Sequence, residues 1–158
     1  MQQLFLNESD HNVQALTRTR VAEIDSAALR TLALTRPAIG TALWTDALIG
    51  AAIFREWIVN VGRRDAHRRV GHLLCEFAIR LGSADGTAGR AYELPMTQEQ
   101  LGDAVGLTPV HVNRVLRSLA QRDLISRDRR HIAIRDWDAL RDASDFNPRY
   151  LHLNNIVP

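Results

Sequence analysis

Residues 97–117 read Thr97-Gln-Glu-Gln-Leu-Gly-Asp-Ala-Val-Gly-Leu-Thr-Pro-Val-His-Val-Asn-Arg-Val-Leu-Arg117, and this stretch decides the fold. Thr97 and Gln100 have the spacing of a capping box, in which each side chain bonds the other's free backbone amide at a helix start. A helix is predicted over 98–105. Gly106 supplies the left-handed residue that stops it, and Thr108-Pro109 supplies a cap and a first-turn proline for a second helix. Two helices joined so tightly make a helix-turn-helix. Leu101, Val105, Leu107, Val112 and Val115 are expected in its inner core, and Gly102 at a close helix crossing.

Outward on the second helix lie Thr108, Pro109, Val110, Asn113, Arg114 and Arg117. A helix fits the major groove of DNA, where arginine grips guanine, asparagine pairs with adenine and an apolar group meets the thymine methyl. Asn113 and Arg114 are therefore the candidate base readers, with Val110 for a methyl. Arg117, a turn farther on, suits a phosphate; His111 either bonds one too or packs against the turn, and Thr97 and Thr108 complete the expected DNA-binding set. An ordinary helical hairpin with a solvated arginine face is the alternative that pattern alone leaves open.

Downstream, Leu124-Ile-Ser126 and His131-Ile-Ala-Ile134 flank Arg127-Asp-Arg-Arg130. Two short strands with an arginine-rich tip form a wing, and Arg127, Arg129 and Arg130 would touch backbone phosphates without reading sequence. Charge supports this. All 20 basic residues are arginine, and residues 108–135 hold seven of them against two acids, a local +5, whereas residues 1–96 hold 11 against 10 acids. Such a field attracts a polyanion over about a Debye length.

Working toward the N-terminus, Asp65 is placed to cap a helix to about Leu81, with Val70, Leu73, Leu74, Phe77, Ala78 and Leu81 on one face and Gly82 at its end. Before it runs a long helix, predicted from Pro37 to about Val61. Leu43, Ala47, Gly50, Phe54, Trp57 and Val61 follow a 4-3-4-3-4 spacing, the stripe of a two-chain seam. Trp44, Leu48, Ile49, Ile53 and Ile58 lie off that stripe, so the helix needs cover on more than one side. A membrane span is the competing reading. Asp46 near its centre would cost about 2.5–3.5 kcal/mol in a bilayer, so a buried dimer helix is preferred. Residues 12–25, rich in Val, Ile and Thr, read as one or two short strands, and Ser26 as the cap of a short helix through about Leu34.

Residues 91–135 resemble the DNA-binding domain of the Crp-Fnr transcription regulators. The likeness extends to Asp65, which matches the family's hinge aspartate, to the long dimerisation helix, and to residues 12–25, which resemble the last strands of the sensor β-roll. Arg114 matches the family's base-reading arginine. Pro109 and Val110 stand where the family often carries Arg or Glu, so the familiar half-site is not implied. The phosphate cassette for a cyclic nucleotide is absent, Phe54 and Arg55 occupy the positions that would offer hydroxyls to its base, and the cysteine set of oxygen-sensing members is missing. Family members run longer at the N-terminus, so the chain resembles a version shortened in the sensor.

The remaining chemistry is sparse. At 158 residues, 46% hydrophobic and 24% charged, the chain suits one globular domain and excludes wholesale disorder or a collagen-like rod. A single cysteine, Cys75, excludes an internal disulfide and a Cys-ligated cluster, and suits a reducing cytoplasm. The first residues show no basic-then-apolar pattern of a secretory signal. His72, Cys75 and Glu76 are close enough on one helix to converge on a metal, but a buried cysteine on an apolar stripe is the commoner outcome. No catalytic constellation is visible, and no cofactor is expected. A final helix from Trp137 to about Ser144, capped by Asp136, is followed by an aromatic tail that docks on the body.

The expected fold class is mainly α (α+β): a sensor remnant over 1–36, a dimerisation helix over 37–63 and a winged helix over 64–158. The expected function is that of a homodimeric regulator on near-palindromic double-stranded DNA, without cyclic-nucleotide control, with RNA polymerase as a further partner and no membrane. The alternative is a shortened partner that pairs with a full-length relative and modulates it.

Overall fold

The computed structural model describes residues 8, 11–85 and 90–153. Its helices are α1 (Ser26–Thr35), α2 (Pro37–Arg63), α3 (Ala66–Asp85), α4 (Gln98–Val105), α5 (Pro109–Gln121) and α6 (Trp137–Ala143), with strands β1 (Ala91–Glu93), β2 (Ile125–Asp128) and β3 (His131–Ile134). A 3-10 turn over Pro148–Leu151 follows. Residues Glu56–Pro148 form one compact unit, and residues up to Arg55, with those from Arg149 on, form another. The division falls within α2.

Local chemistry sets the helix ends. Asp25, not Ser26, caps α1, its carboxylate accepting from the Ala28 amide at 2.8 Å; a carboxylate one residue earlier outcompetes the hydroxyl for the same free donors. Arg36-Pro37 separates α1 from α2 because the residue before a proline avoids the helical region. Asp65 caps α3 through the Arg68 amide at 3.0 Å. That helix continues past Gly82 to Asp85, since a glycine stops a helix only where it turns left-handed.

Residues 12–25 were expected as strands and form none. Two short strands need a sheet to pair with, and β1, β2 and β3 belong to the other unit. Val13, Val21 and Ile24 are accordingly exposed. By length and composition α2 is also the one helix, among the described residues, that could cross a bilayer.

In the unit Glu56–Pro148 the core is built by α3, α4, α5 and α6 over the small sheet. Val70, Leu74, Leu101, Val105, Val112, Val115, Leu116, Leu119, Ile132 and Leu140 are fully enclosed. Burying such side chains is worth about 1.5–3 kcal/mol each. The sheet runs β1-β3-β2, all antiparallel, with Tyr92 opposite Ile132 and Arg127 opposite Ile132 on the other side. Tyr92 stacks on Phe77 and donates its hydroxyl to the Leu74 carbonyl at 2.8 Å, fixing the sheet to α3.

Candidate nucleic-acid interface

The predicted capping box is present at the start of α4. Thr97 Oγ1 accepts from the Gln100 amide at 3.2 Å, and Gln100 Oε1 accepts from the Thr97 amide at 2.9 Å. Gly106 takes φ 66°, the left-handed region, and the Leu107 amide reaches back to the Gly102 carbonyl at 2.9 Å. A side chain at 102 would collide with the Leu107 carbonyl. Glycine there admits the backbone of the turn and, at Pro109, the start of the crossing helix. Thr108 Oγ1 then accepts from the His111 amide at 3.3 Å and starts α5.

Helix α5 has two chemically distinct faces. Val112, Val115, Leu116 and Leu119 are buried, with Leu107 half-buried before them. On the other side Thr108, Arg114 and Arg117 are exposed, and Val110 is 72% exposed. His111 and Asn113 are half-buried. The candidate base readers thus differ: Arg114 projects freely, whereas Asn113 Oδ1 accepts from Arg127 Nη1 at 3.3 Å.

Beside α5, β2 and β3 form the wing. Arg129 and Arg130 are exposed at its tip, and Arg127 is half-buried. A cleft of about 220 Å³ separates Thr97 and Gln98 from Arg127, Arg129 and Arg130. The free amides and dipole at the start of α4 add positive potential to those guanidiniums, against which the Glu99 carboxylate in the same turn acts. One side of this unit therefore carries an exposed helix and an arginine tip, the two parts a duplex needs.

Within this unit, the tie between the last residues of α2, from Glu56 on, and the helices after it was not legible in the sequence. Arg64, 8% exposed, pairs with Glu56 at 2.7 Å and Asp145 at 3.3 Å, and donates to the Asp145 carbonyl at 2.9 Å. Arg69 reaches the Arg64 carbonyl at 2.7 Å and the Val105 carbonyl at 3.2 Å, joining the end of α2 to the end of α4. The run Arg63-Arg64 before Asp65 was the available signal, and it reads equally well as solvated charge.

Of the seam residues, Phe54 is 72% exposed, Ala47 and Val61 are exposed, and Leu43 and Gly50 are half-buried. Trp57 departs from the stripe. Its indole N–H donates to Glu76 Oε2 at 3.0 Å and its ring meets His72 edge-on at 6.2 Å, so it is engaged by its own α3. His72, Cys75 and Glu76 do not converge either. His72 faces Glu56 and the Phe146 ring, Glu76 holds Trp57 and Arg80, and Cys75 lies buried against Ser144. Burial pushes the Cys75 thiol up to about 12, the Ser144 contact offsetting part of the rise.

Residues 68–143 match the Crp-like helix-turn-helix domain. The match takes in both helices, the turn between them and the strands of the wing. The chain is 28% identical over 131 residues to the nitrogen fixation regulation protein FixK of Azorhizobium caulinodans, covering 82% of this chain and 53% of that protein. To FixK of Rhizobium meliloti it is 36% identical over 96 residues, covering 60% and 43%. The chain thus spans about half the length of the curated relatives it matches. Among solved structures, FixK2 from Bradyrhizobium japonicum superposes with a TM-score of 0.69 at 24% identity, over 76% of this chain and 59% of that one. The winged-helix α+β fold is therefore shared. Two further relatives, each 28% identical, carry the names probable transcriptional activator, of Rhizobium leguminosarum, and transcriptional activator protein FnrL, of Cereibacter sphaeroides.

Proposed function

We propose that this protein is a sequence-specific regulator of transcription that binds double-stranded DNA as a homodimer. One observation carries the reading: α5 presents Val110, Arg114 and Arg117 to solvent beside an arginine wing tip. In this reading α5 enters the major groove, where Arg114 reads a guanine and Val110 meets a thymine methyl. Thr97, Thr108, His111, Arg117, Arg127, Arg129 and Arg130 take phosphates. Pairing of α2 through Leu43, Ala47, Gly50, Phe54 and Val61 sets two copies of α5 about one DNA turn, ~34 Å, apart on a near-palindromic site. The compartment is the cytoplasm, RNA polymerase is the further partner, and control runs without a cyclic nucleotide.

Selection of preferred sites from random duplex DNA tests this directly. A two-fold related pair of short half-sites about one turn apart is the expected result. Enrichment of single half-sites or of no motif at all overturns it.

A further inference from the structure

Asn113 occupies the position on α5 from which a side chain would meet a base edge, yet its geometry assigns it elsewhere. A bidentate asparagine–adenine pair needs Oδ1 to accept from the adenine amino group and Nδ2 to donate to N7. Here Oδ1 accepts from Arg127 Nη1 at 3.3 Å, and the residue is half-buried. The same guanidinium donates from Nε to the Arg129 carbonyl at 3.1 Å. Arg129 sits at φ 50°, in the left-handed region that a side chain of its size rarely adopts. These contacts form a chain: α5, Asn113, Arg127, wing tip.

We propose that Asn113 is a positioning residue of the wing and not a base reader. Its amide oxygen holds Arg127, Arg127 braces the strained turn at Arg129, and the brace fixes where Arg129 and Arg130 meet phosphate. Sequence reading on α5 then falls to Arg114 with Val110. The inference rests on the DNA-binding reading above for its consequence, while the brace itself stands on the free protein.

The test has two arms. In the first, hydrogen exchange of the free protein is followed at residues 128–131 in wild type, Asn113→Ala and Asn113→Asp. Ala removes the acceptor, so exchange at the tip rises. Asp keeps an acceptor oxygen but lacks the donor adenine would need, so protection is retained. Unchanged exchange in Asn113→Ala overturns the brace, and this arm decides even if the wild type binds no duplex.

In the second arm, affinity, base preference and salt slope are measured for Asn113→Ala, Arg127→Ala and the double variant. Asn113→Ala is expected to weaken binding about two- to tenfold on every sequence, with the salt slope lowered by about one. In the Arg127→Ala background the same change should add almost nothing, the mark of one residue acting through another. A shift of preference at a single base position, or full additivity with Arg127→Ala, overturns the proposal.

Discussion

Asn113 and Arg114 are adjacent polar residues in the sequence, and the structure places them differently. The exposed guanidinium of Arg114 is free to meet a base edge, so Arg114→Ala should cost roughly 1–3 kcal/mol of binding and relax discrimination at one position. Quantitative site selection on that variant checks it, and an unchanged profile would contradict the role. The type of each residue was legible from its place in the helix-turn-helix pattern. The commitment of Asn113 was not, because Arg127 lies 14 residues away and reaches it only once the wing has folded back along α5. Trp57 fell the same way. Its place on the 4-3-4 stripe was readable, but Glu76, 19 residues on, decides where the indole points.

At the scale of elements, local signals were the reliable ones. The capping box, the left-handed Gly106 and the Thr108-Pro109 start each act within a few residues, so α4, the turn and α5 could be read without the rest of the chain. Residues 12–25 show the converse, since strand-forming residues make a strand only where a neighbour pairs with them. The junction of α2 with α3 is a third case, where charge is enclosed by elements distant in sequence. There His72 is pulled below its usual 6.5, first by burial and then by Arg64, although Glu56 and Glu76 oppose the shift. Native His72 is therefore neutral where the unfolded chain would take a proton. Stability is complete above pH 6.5 and falls as the pH drops below it, because the unfolded state then binds more protons. Thermal unfolding should show a midpoint declining below pH 6.5, by roughly 2–4 °C for each kcal/mol lost. A midpoint level from pH 7 to 5 would remove His72 from the account.

The behaviour of the whole molecule turns on α2. A helix with Trp44, Leu48, Phe54 and Ile58 exposed along it presents more apolar surface than isolated side chains usually do. In the homodimer proposed above, a second copy of the chain covers one face. On that basis Phe54→Asp, which places a charge in the seam, should give a monomer at micromolar concentration by sedimentation. Affinity for a two-fold site should fall about 100-fold or more, because the second half-site is no longer tethered to the first. Retention of a dimer in this variant would move the interface off the stripe. The spacing of that stripe was visible in the sequence. Which of its residues the chain uses for itself was visible only in the fold.

Cys75, the one thiol, lies buried in α3 against Ser144, with its proton held tightly by the enclosing core. Burial shields it from reagents in the native state, so its alkylation requires the core around it to open. The molecule thus contains its own clock for opening: at reagent concentrations where alkylation outpaces reclosing, the pace at which that sulfur is captured is the pace at which the core comes undone.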